Sequence, residues 1–516
     1  MSKQTFLKGA VILIIAGLIT RFLGFINKIV VARIMGPEGV GLYMMAVPTL
    51  LLVITLTQLG LPVAISKLVA EADAEGDRPR IKRILVISLT VTGILSLIFT
   101  ACMIIFAPMI STYLLTDERA YYPLIAISPV VPIVALSSVI RGYFQGLQNM
   151  KPTAYSQVIE QVVRIAFVAT FTSMLLPFGI EFAAAGAMIS SVIGELASIV
   201  FMITVFKKRK TFRFRKQFFS HVKDGKDTFG DLMAIALPTT GSKLVGSISF
   251  FFEPIVVAQS LAIAGVTTIL ATTQYGELAG YAIPMLLLPT FITYSLSVSL
   301  VPAISEAAIV KNYALIHYRL SQALRFAVIS GGAAVVVLYV YADPLMELIY
   351  EAPTVASYLK IMAPFSLFLY FQGPLQATLQ ALNLAKAAMM NSIIGAGVKI
   401  AAVFVLASRP ELGIMGAALA IVIGFILVTL LHFATLVKEI GFTLNIRELA
   451  KVILAMIISG IIGYLLYTSI LTGSDLLLKT AISIVVTGLS YAILVLGMNL
   501  IYREELKRIP FLNRWI

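Results

Sequence analysis

The sequence predicts an all-α, polytopic membrane protein with about 14 spanning helices, arranged as two six-helix repeats plus two C-terminal helices. Three observations predict this fold class. The composition is very apolar, segments of membrane-spanning length recur along the whole chain, and the first half of the sequence resembles the second. Soluble domains carry about a quarter charged residues, whereas this chain has 12% charged and 59% hydrophobic residues. A bilayer location therefore follows before any motif is considered.

The composition also limits the kind of function. The 516 residues carry a formal net charge of +14, which in a soluble chain would suggest nucleic acid, but here the charge must be assigned loop by loop. One cysteine, Cys102, excludes a disulfide framework and a cysteine-based metal site. The sequence contains no nucleotide-binding G-x-x-x-x-G-K-[ST], zinc-binding H-E-x-x-H or nucleophile G-x-S-x-G. We expect no enzyme, no metal, no cofactor and no nucleic-acid partner.

Apolar segments of about 20 residues, the length of one span, recur fourteen times. Prolines inside them, such as Pro48 and Pro129, are expected to bend the helices rather than end them, because packing neighbours re-satisfy the freed carbonyls. The first segment follows Lys3 and Lys8 but continues past Arg21, so we interpret it as an uncleaved spanning helix and not as a secretory signal. The predicted spans are residues 9–35, 39–66, 83–110, 121–147, 153–177, 182–206, 231–261, 275–304, 313–342, 354–382, 387–408, 412–437, 450–472 and 476–502.

The distribution of lysine and arginine predicts the orientation. If the N-terminus is cytoplasmic, most of the 39 Lys and Arg residues fall in cytoplasmic segments, most densely in RPRIKR at 78–83 and KKRKTFRFRK at 207–216. We therefore expect a multi-pass protein of the cell membrane with both ends in the cytoplasm, and basic runs that set orientation and attract anionic lipid. The outside loops hold only Arg33, Arg119, Lys360, Arg409 and Lys479.

The two halves of the chain match in order, at offsets of 222 to 240 residues. TRFLG (20–24) matches SKLVG (242–246), and AAGAMISSVIG (184–194) matches IMGAALAIVIG (414–424). Six spans per repeat give both repeats the same orientation, an architecture that places substrate between lobes and works by alternating access. The predicted organisation is an N-lobe at 1–206, a basic cytoplasmic linker at 207–230, a C-lobe at 231–440, and a C-terminal helix pair with its tail at 441–516.

Charged residues inside the predicted spans are the candidate binding groups, because a charge at mid-bilayer costs about 2.5–3.5 kcal/mol and seldom occurs without function. Arg21 and Lys28 are two turns apart on one face of the first span. The repeat places Lys243 at the position of Arg21, and Lys399 at that of Arg164. The five cations considered are Arg21, Lys28, Arg164, Lys243 and Lys399, and the acids are Glu160, Glu195 and Glu253.

This excess of cations predicts a hydrated cavity between the lobes that binds an anionic, phosphate-bearing substrate. The alternative is that the cations snorkel, or pair with acids for helix packing. Glu160 and Arg164 are spaced i, i+4 and can pair across one turn. Glu253 is interpreted as a counter-ion to Lys28 or as a coupling site, and Glu160 as a second such candidate. The candidate sugar contacts are Gln145, Gln372 and Gln376, for which interhelical hydrogen bonding is an equal alternative.

Four segments resemble the stage V sporulation protein B group of endospore-forming bacteria, in the multidrug/oligosaccharidyl-lipid/polysaccharide exporter superfamily alongside the MurJ lipid II flippases. They are RFLGFINKIVVARIMGPEGVGLY, LPVAISKLVAE, RGYFQGLQNMKP and QALNLAKAAMMNSIIG. The resemblance covers essentially the whole chain. It implies a V-shaped, MATE-like bundle of two six-helix lobes, with two C-terminal helices that in MurJ form a groove for the lipid tail.

The resemblance also implies a lipid-linked peptidoglycan precursor as substrate, for spore cortex synthesis. Arg21 matches the R-x-L-G-F motif of MurJ, so its role carries over directly. Asn27-Lys28 stands where MurJ has Arg-Asp, and Glu277 where MurJ has an arginine, so the cation set is only partly shared.

The favoured function is therefore a flippase for an undecaprenyl-pyrophosphate-linked saccharide of the lipid II type. Its energy would come from a coupling ion, the membrane potential or the substrate gradient. The alternatives are another polysaccharide-lipid exporter, a multidrug/cation antiporter, which would need acids in its lobes, and a non-transporting scaffold.

Overall fold

The computed structural model describes residues 6–209, 225–470 and 475–501, and within these residues every regular element is helical. Twelve helices there are long and apolar enough to cross a membrane, or 13 if the bent pair Pro353–Met362 and Ser366–Ala381 forms one span. The first of them, Ile15–Ala74, is 60 residues long and leaves the helical conformation at Gly36 (φ 66°, ψ −177°), so it holds the first two predicted spans. Each predicted span overlaps a helix, and the all-α polytopic fold is confirmed.

Prolines act in two ways in this fold. Pro48 lies inside a continuous helix, as expected. Pro129, however, separates two helices, Tyr121–Ile127 and Val130–Gly146, and caps the second. The expectation of a bend rather than an end is nevertheless met at Pro129, because Glu118–Gly146 remains one candidate membrane span. A proline has no N–H, so the helical hydrogen bonds are interrupted there while Ser128 and Pro129 keep helical backbone angles.

The contacts divide the chain into two compact units. Unit 1 comprises Met1–Gly280 with Ala407–Ile414, and unit 2 comprises Tyr281–Leu406 with Met415–Ile516. The units are defined by contacts between residues and not by the sequence repeat. The lobe boundaries inferred from the repeat therefore stay a prediction. Part of the predicted linker, residues 210–224, lies outside the described residues.

Unit 1 is built from nine α-helices in its described residues, joined by short 3-10 and π-helical turns. Its core cluster is formed by α2, α3, α5, α7 and α8, where Ile65, Ile84 and Phe144 are fully buried. The helices are α1 (Phe6–Gln58), α2 (Leu61–Ala74), α3 (Arg78–Met109), α4 (Tyr121–Ile127), α5 (Val130–Gly146), α6 (Lys151–Leu175), α7 (Ile180–Arg209), α8 (Lys226–Ile263) and α9 (Thr268–Tyr275).

Helices α1 and α9 of unit 1 touch through glycine. A Cβ atom at Gly41 would collide with the Thr272 carbonyl, and one at Gly276 would collide with the Pro37 carbonyl. Two helix backbones can come this close only where neither side carries a side chain. The pair of glycines therefore fixes the second half of α1 against α9.

Unit 2 holds the remaining ten α-helices of the described residues. One core cluster joins α11, α12, α15, α16 and α17, and another joins α12 to the two C-terminal helices, α18 and α19. The helices are α10 (Ile283–Leu287), α11 (Thr290–Ile309), α12 (Tyr313–Val340), α13 (Ala342–Tyr350), α14 (Ala356–Met362), α15 (Ser366–Ala381), α16 (Ala385–Ala407), α17 (Ile414–Ile440), α18 (Ile446–Leu465) and α19 (Leu476–Gly497).

Candidate functional site

A cluster of charged side chains lies inside unit 1, between α5, α6 and α7. The Arg141 guanidinium donates a hydrogen bond from Nη2 to Ser198 Oγ at 3.1 Å. The same Nη2 lies 3.7 Å from Glu160 Oε2 and 3.6 Å from Glu195 Oε2. Arg164 Nη2 donates to Glu160 Oε1 at 2.6 Å. We call these five residues the Arg141 cluster.

The helices bring these residues together for simple geometric reasons. Glu160 and Arg164 are one turn apart on α6, and Glu195 and Ser198 are one turn apart on α7. A Cβ at Gly194 would lie 2.8 Å from the Glu160 carbonyl oxygen, so α6 and α7 cross closely at that glycine. The close crossing turns the charged positions of both helices toward Arg141 of α5.

The Arg141 cluster is buried and electrically balanced. Glu160 is 8% exposed and Glu195 is 7% exposed. Two guanidiniums face two carboxylates, so the formal charges cancel when both acids are ionised. Burial of an isolated charge in a bilayer is costly, and mutual pairing offsets part of that cost. The expected i, i+4 pairing of Glu160 with Arg164 is thus observed, and Arg164 is neutralised within the cluster.

Arg141 is the charged residue that the sequence analysis missed. It lies in the predicted span 121–147, close to the helix end, and is not among the five candidate cations. The structure instead joins it to two buried acids. The sequence feature that could have pointed to Arg141 is Glu195, an acid inside a predicted span with no basic residue one turn away on its own helix.

The α1 face that carries Arg21 and Lys28 packs beside α6. Gly24, which lies between these two residues, approaches α6 so that its Cβ would be 3.9 Å from Gln161 Oε1. Arg21 is exposed and Lys28 is partly buried. Asn27 is 6% exposed, and its side-chain oxygen has no hydrogen-bond partner among the described residues. This part of α1 therefore places polar groups next to the Arg141 cluster.

Two lysines of unit 1 differ from the arginines of the cluster. Among the ion pairs within 4 Å that the described residues form, none involves Lys28 or Lys243. Lys243 is exposed on α8, one turn before Ser247, which shares a 2.8 Å hydrogen bond with Thr55 of α1. Glu253, further along α8, is 7% exposed, and no ion pair joins it to Lys28 within the described part of the chain.

Unit 2 repeats one glycine contact of unit 1. A Cβ at Gly424 of α17 would lie 3.3 Å from the side-chain stem of Lys399 on α16, and a Cβ at Gly194 would lie 3.2 Å from Arg164 Cβ in unit 1. Both pairs, Arg164 with Gly194 and Lys399 with Gly424, are equivalent in the sequence repeat. The structure therefore places the repeated cations on the same glycine contact in each half of the chain.

The predicted glutamines fall in different surroundings. Gln372 Nε2 donates to the Phe425 carbonyl at 3.0 Å, next to Gly424, so it makes the interhelical hydrogen bond named as the alternative. Gln376 is exposed and Gln145 is partly buried. No group of three or more His, Cys, Asp or Glu residues suited to a metal ion occurs in the described ranges.

The comparisons with known proteins agree with this fold. The sequence profile described as "Polysaccharide biosynthesis protein" matches residues 6–308, more than half of the chain. The chain belongs to that family. This member is 58% identical to "Stage V sporulation protein B" of Bacillus subtilis (strain 168) over 516 residues, which is 100% of both chains. It is 24% identical to "Lipid II flippase MurJ" of the same organism over 490 residues, 89% of this chain and 87% of the other.

Solved structures show the same architecture. "Lipid II flippase MurJ, inward closed conformation" aligns with a TM-score of 0.71 at 18% identity, covering 95% of this chain and 98% of that one. A multidrug resistance MATE family transporter of the MOP superfamily aligns with a TM-score of 0.65 at 18% identity, covering 82% and 94%. At such low identity the likeness establishes the fold alone. The resemblance inferred from sequence motifs is confirmed, and these relatives are carriers, not enzymes.

Proposed function

We propose that the protein is a flippase that moves an undecaprenyl-pyrophosphate-linked saccharide, of the lipid II type, across the cell membrane by alternating access. The observation that carries the proposal is the division of charge in unit 1. Buried acids neutralise Arg141 and Arg164, whereas Lys28 and Lys243 form no ion pair among the described residues. Lysines whose charge is not balanced by an ion pair favour an anionic ligand, and pyrophosphate is the anionic part of this substrate.

The proposed head-group site comprises Lys28 and Lys243, with Arg21 on the α1 face of Lys28. Lys399 of the second repeat and Arg164 are further proposed substrate contacts. Arg164 reaches a substrate only if the Arg141 cluster rearranges, since Glu160 holds it at 2.6 Å. Glu160, in the Arg141 cluster, and Glu253, on α8, are the proposed residues for ion coupling. A change in the charge of either carboxylate would alter the net charge of its surroundings. Gln145 of unit 1 and Gln376 of unit 2 remain proposed sugar contacts.

An apolar groove in unit 2 supports a substrate with a polyprenyl tail. The groove lies between α12 and α18, has a volume of about 610 Å³, and is lined by residues such as Val336, Tyr339, Ile457 and Ile461. At one end Lys360 Nζ lies 2.6 Å from Asp343 Oδ2. An apolar channel along the C-terminal helices can hold a hydrocarbon chain while its polar head remains elsewhere.

A second polar cluster supports alternating access. At the predicted outer end of unit 1, the Arg119 guanidinium contacts both Glu38 and Asp117, and Thr272 Oγ1 donates to Asp117 Oδ2 at 2.7 Å. We call these four residues the outer cluster. It joins the first predicted repeat to the second beside the Gly41 and Gly276 crossing. We infer that the outer cluster closes the outside while the substrate site faces the cytoplasm.

The cellular role and the orientation complete the proposal. Both ends lie in the cytoplasm, because the predicted inside loops hold most of the lysine and arginine. The substrate is a precursor of spore cortex peptidoglycan, a role supported by the 58% identity to a stage V sporulation protein. A second relative is also named for sporulation, "Sporulation protein YkvU", at 31% identity over 84% of this chain.

The competing function is a multidrug/cation antiporter, which the MATE-like fold would equally permit. Thermal stabilisation of the purified protein separates the two functions. We expect lipid II to raise the unfolding temperature and a cationic dye to leave it unchanged. The variants Arg21→Gln and Lys243→Gln should lose the response to lipid II, and the exposed control Arg319→Gln should keep it. Stabilisation by the dye alone would overturn the flippase proposal.

A further inference from the structure

A second apolar groove lies in unit 1, on helices other than those that carry Lys28 and Lys243. It has a volume of about 280 Å³ and is lined by side chains of α3, α5 and α7. Helix α5 packs against both α3 and α7, so it forms the floor of the groove and the other two helices form its walls. The lining includes Leu85, Leu89, Leu136, Ile203, Phe206 and Lys207.

The groove runs along the predicted inner half of the membrane. On α7 it extends from Ile199 to Lys207, about 12 Å at 1.5 Å per residue. Lys207 lies two residues before the helix ends at Arg209. On the floor, Leu136 is 37% exposed, and Val200 of α7 nearby is 60% exposed. These apolar side chains face the lipid environment of a spanning protein, so a hydrocarbon chain can enter from the side.

The end of the groove is positively charged. Lys207 is the one charged residue among the described lining residues, and its neighbour Lys208 is also exposed. The sequence continues from there as KKRKTFRFRK. A lysine ammonium binds phosphate as a point charge, and basic residues next to the cytoplasmic surface attract anionic lipids. An apolar channel that ends at two lysines matches an acyl chain with a negatively charged phosphate head.

We propose that this groove binds an anionic phospholipid of the cytoplasmic leaflet, with an acyl chain over α5 and its phosphate on Lys207 and Lys208. The site lies directly behind the Arg141 cluster. Ile140 and Ile199 line the groove. Their chain neighbours, Arg141 and Ser198, form the hydrogen bond of the Arg141 cluster that links α5 to α7. A bound lipid therefore holds α5 and α7 together at the level of that hydrogen bond. The inference does not depend on the transported substrate.

Native mass spectrometry of the full chain in detergent tests the proposal, with dioleoyl phosphatidylglycerol and dioleoyl phosphatidylcholine as probes. We expect tighter binding of the anionic lipid. Removal of both charges in Lys207→Gln/Lys208→Gln should weaken its binding about 25-fold, about five-fold for each lysine. Binding of the zwitterionic lipid, whose choline cation offsets its phosphate, should weaken much less. The matched control Lys386→Gln/Lys438→Gln removes two exposed lysines of unit 2 and should change neither affinity.

A groove-filling variant tests where the acyl chain binds. Leu136→Trp should weaken binding of both lipids, whereas Leu97→Trp, at a 69% exposed position of α3 outside the groove, should not. Equal affinity for the two lipids would overturn the proposal, as would a lysine variant that behaves like its control. A polyprenyl pyrophosphate could also displace bound phosphatidylglycerol from the wild type but not from Leu136→Trp. That result would assign the groove to the substrate and would also overturn the proposal. Both lysines are on the surface, so their variants remain informative if the tryptophan variant fails to fold.

Discussion

Replacement of Arg141 by methionine removes the residue that contacts both buried acids. Glu160 would keep Arg164 at 2.6 Å, but Glu195 would lose its 3.6 Å contact with a guanidinium. Removing one partner of a buried ion pair costs about 3–5 kcal/mol. Arg141 has a 19% exposed side chain and Nη2 distances above 3.5 Å to both acids. We therefore expect the low end of that range, a loss of about 3 kcal/mol in the free energy of unfolding.

Equilibrium unfolding by SDS in mixed micelles, followed by circular dichroism, measures this loss. The double variant Arg141→Met/Glu195→Gln should recover about half of it, because the carboxylate left without a partner becomes a neutral amide. Arg319→Met, at an exposed position of α12, should stay within about 0.5 kcal/mol of the wild type. An Arg141→Met variant as stable as that control, or a double variant with no recovery, would refute the ionic role of Arg141.

Three further predictions use the same unfolding measurement. Gly41→Ala should cost about 2 kcal/mol because its Cβ collides with the Thr272 carbonyl. The control Gly241→Ala has open space around the Cβ position and should stay within about 0.5 kcal/mol of the wild type. Equal losses in the two variants would contradict the close crossing. Arg119→Gln removes the cation of the outer cluster and should cost about 1.5–3 kcal/mol, and a loss below about 0.5 kcal/mol would contradict its role. Asp343→Asn breaks an ion pair whose Asp side chain is 58% exposed, so a loss above about 1 kcal/mol would contradict our view of it as a weak surface pair.

The arrangement of spans could be predicted from sequence because a bilayer admits few alternatives. Apolar length alone located the long helices. The internal repeat also predicted that Arg164 and Lys399 occupy equivalent positions, and the structure places each on an equivalent glycine, Gly194 or Gly424. Local rules likewise predicted the pair of Glu160 and Arg164, since both partners are on one helix.

Contacts between distant helices could not be predicted in this way. Arg141 is 54 residues from Glu195 along the chain, and nothing local to Arg141 specifies that partner. The collision at Gly41 depends on a carbonyl of α9, and glycine is common in spanning helices whether or not a neighbouring backbone approaches it. Sequence locates a proline, but the packing around the helix decides whether its freed carbonyls are satisfied within one bent helix.

Transfer of fluorescent lipid II between the leaflets of proteoliposomes is the most direct test of an anionic head-group site built on lysine. The comparison is between Lys28→Gln/Lys243→Gln and the control Lys386→Gln/Lys438→Gln at equal reconstituted amounts. Each lost charge-assisted hydrogen bond is worth about 1.5–3 kcal/mol, so the test variant should transfer lipid at least about 100-fold more slowly. The control should match the wild type. Wild-type transfer by the Lys28 and Lys243 variant would contradict the account.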